Sequence, residues 1–92
     1  MKVRFYGQLR ELCGECVELD ICRDKHSITM TQLMLKLRNE LKCLASIVTD
    51  DGRIRPGYLV FIDGVDHLVL GGDKAEVPCT STVDIVPYIH GG

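Results

Sequence analysis

The 92-residue sequence predicts an α+β fold in which a mixed sheet of four or five strands carries one main helix on one face. Segments of alternating apolar and polar residues near both ends of the chain are typical of half-buried strands. A longer segment between them repeats apolar residues every three to four positions, which is typical of an amphipathic helix. An Asp-Gly pair between two further apolar segments indicates a tight hairpin.

The first two strands are predicted from alternation in "KVRFY" (2–6) and "CVELDIC" (16–22). In the first segment Val3 and Phe5 fall on one face, and the polar residues fall on the other. The segment between the two strands, 7–15, is long enough for a loop or a short helical turn.

The main helix has a clear start. Thr29 as the N-cap and Gln32 three residues later form a capping box, in which each side chain satisfies a backbone N–H of the other residue. The apolar residues that follow at helical spacing are Met30, Leu33, Met34, Leu37, Leu41 and Leu44. We interpret this stripe as core, and we expect the helix to end between Lys42 and Val48.

Three strands are predicted after the helix. The nearly all-apolar "YLVFI" (58–62) is followed by Asp63-Gly64, a two-residue hairpin signal, and then by "VDHLVL" (65–70). The last strand begins at Val83, where apolar and polar residues alternate again.

The predicted element order is strand, strand, helix, strand, strand, strand. Hairpins at both ends and a crossover helix suit the β-grasp arrangement of ubiquitin-like proteins, with the first and last strands side by side in the middle of the sheet. Pro87 cannot donate a ladder hydrogen bond and should end the regular pairing of the last strand. We therefore predict one ubiquitin-like domain, 1–87, and a flexible diglycine tail, 88–92.

Composition and charge exclude several classes of protein. A net charge of −2 gives no basic surface for nucleic acid, and no apolar run is long enough to cross a membrane. The start of the chain has no signal-peptide core, so the odd number of cysteines is interpreted as reduced thiols and the expected location is the cytoplasm. We expect a monomer. The cysteines are Cys13, Cys16, Cys22, Cys43 and Cys79.

The final residues, Gly91 and Gly92, indicate a chemical use for the C-terminal carboxylate. A tail without side chains can enter a narrow nucleotide site, where ATP converts the poorly electrophilic carboxylate into a reactive acyl-adenylate. A sulfur nucleophile then gives a thiocarboxylate, and a lysine amine gives an isopeptide bond.

Three segments resemble the ubiquitin-like sulfur-carrier and protein-modifier family, which includes MoaD, ThiS, the ubiquitin-related modifier and the small archaeal modifier proteins. They are "KVRFYGQLRELCG" (2–14), "RPGYLVFIDG" (55–64) and "VDIVPYIHGG" (83–92). The resemblance implies that Gly92 is adenylated by an ATP-dependent partner related to ubiquitin-activating enzymes. It implies that Gly91, which has no side chain, keeps the tail narrow enough for the channel of that enzyme. It implies transfer to target lysines or sulfur acceptors. It also implies that the chain is no enzyme and binds no cofactor or metal.

The tail departs from the MoaD pattern, which usually has two prolines and a small residue before the glycines. Here Pro87 is followed by Tyr88, Ile89 and His90, which we predict to be recognised by the activating enzyme. A histidine before the glycines is closer to the ubiquitin-related modifier. This favours a modifier or dual-purpose carrier, with the small subunit of molybdopterin synthase as the alternative.

The pair Cys13 and Cys16 forms a C-x-x-C, which can be half of a zinc site or a redox dithiol. No second C-x-x-C is present, so ordinary thiols are favoured, and a metal-binding or redox module is the third hypothesis.

Two further surfaces are candidates for docking partners. Ubiquitin-like proteins dock partners on the exposed face of the sheet, and its candidate members are Leu59, Phe61, Val69 and Leu70. Arg53 and Arg55 are interpreted as solvated charges of a turn, with docking of an acidic partner as the alternative.

Overall fold

The computed structural model describes residues 1–88, and residues 89–92 lie outside the described part. A five-stranded sheet contains β1 (Lys2–Phe5), β2 (Cys16–Glu18), β4 (Tyr58–Ile62), β5 (Val65–Asp66) and β7 (Thr82–Pro87). A small two-stranded sheet contains β3 (Ser27–Thr29) and β6 (Glu76–Pro78). The helices are α1 (Gln8–Cys13) and α2 (Met30–Glu40), with 3₁₀ turns at Lys42–Leu44 and Gly72–Lys74.

The strand order in the main sheet is β2-β1-β7-β4-β5. The first and last strands, β1 and β7, are parallel neighbours at its centre, and the remaining pairs are antiparallel. This confirms the predicted mixed sheet and the central position of the two terminal strands.

The core lies between this sheet and α2. Alternate residues of the central strands, Val3 and Phe5 on β1 and Val83 and Ile85 on β7, are completely buried, as a period of two requires. The buried residues of α2 are Met30, Leu33, Met34 and Leu37. The predicted apolar stripe is therefore core, which confirms its interpretation.

The start of α2 is also confirmed, because the Thr29 hydroxyl accepts the Gln32 N–H at 3.2 Å and Gln32 Oε1 accepts the Thr29 N–H at 3.3 Å. The helix ends two residues earlier than the predicted range, at Glu40. Leu41 is extended, and Leu44 reaches the core from the following 3₁₀ turn. The apolar stripe therefore continues past the end of the helix, because Leu44 of the 3₁₀ turn packs into the same core.

The Asp63-Gly64 hairpin is confirmed. Asp63 has φ 50° and Gly64 has φ 84°, the pair of left-handed residues that a type I′ turn requires, and Ile62 pairs with Val65 across it.

Two predicted strands are shorter in the structure. The second strand spans Cys16–Glu18 rather than 16–22, and the strand after the hairpin spans Val65–Asp66 rather than 65–70. The latter stops because the Asp66 carboxylate accepts the Leu68 N–H at 3.0 Å and starts a turn. Sequence reasoning did not find the β3–β6 pair, whose strands have only three residues each.

The prediction of reduced thiols is wrong for four of the five cysteines. The fold brings Cys13 to Cys43 and Cys22 to Cys79, with Cα atoms 5.6 and 5.9 Å apart, and both pairs form disulfides. Cys16 is free and exposed. Because Cys13 is bonded to Cys43, the C-x-x-C is neither a dithiol nor half of a zinc site.

Candidate functional site

The candidate site begins where β7 ends. Pro87 is the last residue of this strand and lies opposite Tyr58 of β4. One residue later, the Tyr88 N–H donates to the Gly57 carbonyl at 2.9 Å, which ties the chain to the start of β4. The predicted site residues Ile89, His90, Gly91 and Gly92 lie outside the described residues, so the predictions made for them remain proposals.

Gly7, which precedes α1, packs closely against this strand end. It has φ 58°, and a Cβ atom built on it would lie 2.9 Å from Cγ of Pro87. A larger residue would be strained and would have to displace the proline. Gly7 therefore lets the start of α1 approach the end of β7.

Apolar side chains cover the sheet face opposite α2 beside the same point. On β4, Val60 and Ile62 are buried beneath α2, so Leu59 and Phe61 alternate to the other face and are half-buried there. The register pairs Leu59 with Val86 of β7. We call Leu59, Phe61, Val86 and the half-exposed Tyr88 the outer apolar patch.

Of the four candidates for the docking face, the structure brings only Leu59 and Phe61 together on the sheet. Val69 and Leu70 lie in the turn after β5 and are exposed, away from the outer apolar patch. The prediction failed for them because the strand that was to carry them stops at Asp66.

A polar cluster lies next to the outer apolar patch, across the parallel β1–β7 pair. Arg4 and Asp84 are directly opposite in register. Arg4 Nε–H donates to Asp84 Oδ1 at 2.6 Å, and Nη2 donates to Oδ2 at 3.0 Å. The Tyr6 hydroxyl donates to Oδ1 at 3.0 Å, and the Arg10 guanidinium lies 5.9 Å from the centre of the Tyr6 ring.

Sequence reasoning did not find this cluster. The available signal was an aspartate between the apolar Val83 and Ile85 on a strand expected at the sheet centre, where an unpaired carboxylate would be costly. Naming Arg4 as its partner needs the parallel register, which only the structure supplies.

The hydrogen bonds with Arg4 hold the pKa of the Asp84 carboxyl below its ordinary value, although partial burial opposes them. The hydrogen bond with Asp84 in turn raises the pKa of the Tyr6 hydroxyl. Asp84 therefore stays ionised at neutral pH and accepts three hydrogen bonds. Its chemistry is that of a fixed ion pair joining the two central strands, rather than that of a proton donor.

We expect Asp84→Asn to lower the free energy of unfolding at neutral pH by about 1–2 kcal/mol, because it removes the charge that Arg4 and Tyr6 surround. The pKa of Asp84 is depressed in the fold, so its contribution is complete above the ordinary carboxyl range, near pH 4, and is lost as the pH falls further. Urea unfolding at pH 7 and pH 3 measures this. The variant should lose less stability on acidification than the parent.

Asp24→Asn, at an exposed position, is the matched control and should unfold like the parent. Equal acid sensitivity of Asp84→Asn and the parent would contradict the assignment.

Residues 1–88 contain no group of three or more His, Cys, Asp or Glu side chains arranged to hold a metal ion. Within that range, every helix is too short or too polar to cross a membrane.

The fold and this site define a class. A mixed sheet with parallel central strands, one main helix on one face, and a last strand that leads into the final residues is the β-grasp of ubiquitin-like proteins. The family model described as Urm1 (Ubiquitin related modifier) matches residues 1–92. The chain belongs to the ubiquitin-related modifier family.

A known protein supports this assignment, and several solved structures share the fold. The ubiquitin-related modifier 1 homolog of Dictyostelium discoideum is 34% identical over 70 residues, which cover 75% of this chain and 73% of that protein. Urm1 of Trypanosoma brucei has a TM-score of 0.73 at 24% identity, covering 99% of this chain and 93% of its own.

Two more distant structures share the fold. SAMP1 of Haloferax volcanii has a TM-score of 0.70 at 16% identity, over 99% of this chain and 97% of its own. A chain of the Amycolatopsis orientalis BexX/CysO complex has a TM-score of 0.72 at 22% identity, over 99% and 98% respectively.

Proposed function

We propose that this protein is a ubiquitin-like modifier and sulfur carrier that is activated at the carboxylate of Gly92. The observation that carries the proposal is the "PYIHGG" segment (87–92), which begins at the anchored end of β7 in a member of the ubiquitin-related modifier family. The tail has no side chain on its last two residues, so a narrow nucleotide site can admit it.

The chemistry needs a partner enzyme that binds ATP. The Gly92 carboxylate attacks the α-phosphate of ATP, pyrophosphate leaves, and an acyl-adenylate forms. Hydrosulfide then displaces AMP to give a thiocarboxylate, or a lysine amine of a target protein displaces AMP to give an isopeptide bond. The role of this chain is to present the carboxylate, because the partner supplies the nucleotide site.

We further propose that the activating enzyme docks on the outer apolar patch and recognises the adjoining residues Tyr88, Ile89 and His90. Tyr88 belongs both to the outer apolar patch and to the segment that the enzyme recognises. Its amide is bonded to the Gly57 carbonyl, and its side chain is half exposed. From Ile89 onward, four residues reach roughly 13 Å when extended. A docked enzyme can therefore hold the sheet and receive the carboxylate in the same complex.

The double variant Leu59→Ser and Phe61→Ser is expected to raise the KM of the modifier in the activation reaction at least about tenfold, because two apolar anchors are lost. The kcat at saturation should change little, since the tail is intact. Steady-state pyrophosphate exchange at varied modifier concentration measures both constants.

Leu35→Ser is the control, since Leu35 is a half-buried leucine of α2 on the opposite layer. Thermal unfolding of each variant shows whether its fold is retained. An unchanged KM in a folded double variant would contradict docking on the patch.

The match of residues 1–92 to the ubiquitin-related modifier family supports a modifier over the molybdopterin synthase subunit. We propose that the protein acts as a cytoplasmic monomer without cofactor and does not bind nucleic acid directly. Cytosolic reductants act on accessible disulfides, so this location requires both bridges to be protected. Alkylation of free thiols at the moment of cell lysis tests that requirement.

Intact-mass spectrometry of the protein from its native cell tests the proposed function. The expected result is the mass change for exchange of one carboxylate oxygen for sulfur, or lysine-linked conjugates that contain the C-terminal peptide. Detection of the unmodified chain alone, under conditions that induce sulfur transfer, would overturn the proposal.

A further inference from the structure

A second surface lies on the α2 side of the sheet, away from the outer apolar patch. A cavity of about 280 Å³ opens between the segment 53–58 and the turn that follows β5. Tyr58 and His67 line it, and Tyr58 precedes Leu59 of the outer apolar patch in β4, so its side chain lies on the α2 face. His67 is only 8% exposed, so the floor of the cavity is well packed.

Two arginines supply positive charge at its rim. The Arg53 guanidinium has one ion-pair partner within residues 1–88, Asp51 at 3.5 Å, and both side chains are more than 60% exposed. An ion pair between side chains this exposed contributes little to the stability of the fold. The Arg55 side chain is exposed and makes no hydrogen bond or ion pair with the described residues.

The backbone beneath these arginines is nevertheless fixed. The Arg55 N–H donates to the Ile47 carbonyl at 2.9 Å, and the Arg53 carbonyl accepts the Thr49 N–H at 2.8 Å. The guanidinium groups are therefore presented from an ordered base with their donors available, which suits a carboxylate ligand.

An apolar turn formed by Leu68, Val69 and Leu70 adjoins the cavity through Leu68. Their exposed fractions are 66%, 77% and 44%, and Leu68 also lines the cavity. The turn is ordered, because the carbonyl of His67 accepts the N–H groups of Leu70 and Gly72 at 3.1 and 3.0 Å. Three consecutive exposed aliphatic side chains on an ordered turn are typical of a binding surface.

We propose that the cavity and the apolar turn bind a short acidic segment of a partner protein, in which aliphatic residues stand next to carboxylates. The carboxylates pair with Arg53 and Arg55, and the aliphatic side chains contact the apolar turn. Asp73 is the one acidic residue in the cavity wall and weakens this attraction. The cavity and the outer apolar patch lie on different faces of the sheet, and Tyr58 in the cavity wall pairs with Pro87 at the end of β7.

The probe is a synthetic peptide, acetyl-EDLVLED-amide, added to the ¹⁵N-labelled full chain and followed by NMR. We expect amide shifts in segments 53–58 and 67–73, and weaker binding at high salt because the attraction is ionic. Arg53→Gln with Arg55→Gln should weaken binding at least about tenfold, since two charge-assisted contacts are lost. Asp73→Asn should tighten it about twofold.

The charge-matched control is Lys25→Gln with Lys42→Gln, which removes the same charge from exposed positions elsewhere and should bind like the parent. The neutral peptide acetyl-QNLVLQN-amide should bind at least tenfold more weakly. The proposal is overturned by any of three results: no binding at millimolar peptide, shifts confined to the outer apolar patch, or the same shifts with inorganic phosphate alone. These outcomes do not depend on Gly92, so they are independent of the proposed function.

Discussion

A chain that lacks Gly92 is expected to support no ATP–pyrophosphate exchange with the cognate adenylating enzyme, whereas the intact chain supports it. The truncated chain still ends in a carboxylate, that of Gly91, but this carboxylate falls about 3.3 Å short of the position at which the α-phosphate is attacked. A displacement of this size removes the near-attack geometry on which the rate depends. The measurement is exchange of labelled pyrophosphate into ATP at saturating modifier.

Two controls separate the chemistry from folding and docking. The truncated chain should unfold at the same temperature as the parent, since the change lies four residues beyond Tyr88, whose amide is bonded to the start of β4. It should also compete with the intact chain for the enzyme, because the outer apolar patch is unchanged. Gly92→Ala keeps the chain length and adds one methyl group, and it should reduce exchange through crowding in the channel. Equal exchange by the truncated and intact chains would refute activation at Gly92.

Most of the fold was predictable from the sequence, because the local sequence signals agree with the pattern of buried residues. The capping box at Thr29 and Gln32, the apolar stripe of α2 and the Asp63-Gly64 turn each depend on residues close in sequence. The central β1–β7 pair followed from the element order rather than from any local signal. Sequence reasoning therefore succeeded where a feature is local, or where the topology allows few alternatives.

The features that sequence reasoning missed are nonlocal or marginal. The Arg4–Asp84 pair joins residues 80 positions apart, and no pattern in either strand specifies its partner. The three-residue strands β3 and β6 are too short for alternation to be visible. For the candidate site, the prediction made for the tail stays a prediction, and two of the four sheet-face candidates, Leu59 and Phe61, lie together on the outer face. The turn at Asp66 ended the strand that was to carry Val69 and Leu70, and of this turn only Leu68 lines the cavity that Arg53 and Arg55 also line.

Replacing Cys22 and Cys79 together by alanine is expected to lower the free energy of unfolding by about 4 kcal/mol. The bridge spans 57 residues, so its loss releases a long loop in the unfolded chain, and that entropy favours unfolding. A domain of this size has a total stability of about 5–15 kcal/mol, so the variant keeps only part of it. The melting temperature should fall by roughly 20 °C.

The second bridge gives a graded comparison. Cys13→Ala with Cys43→Ala opens a loop of 30 residues, so its cost should be slightly smaller, about 3.5 kcal/mol. Cys16→Ala is the matched control, because this thiol is exposed and unbonded, and its variant should melt like the parent. Thiol titration of the parent under denaturing conditions should detect one group without reductant and all five after reduction. Identical melting of the parent with and without reductant would show that neither bridge stabilises the fold, because reduction removes both constraints on the unfolded chain at once.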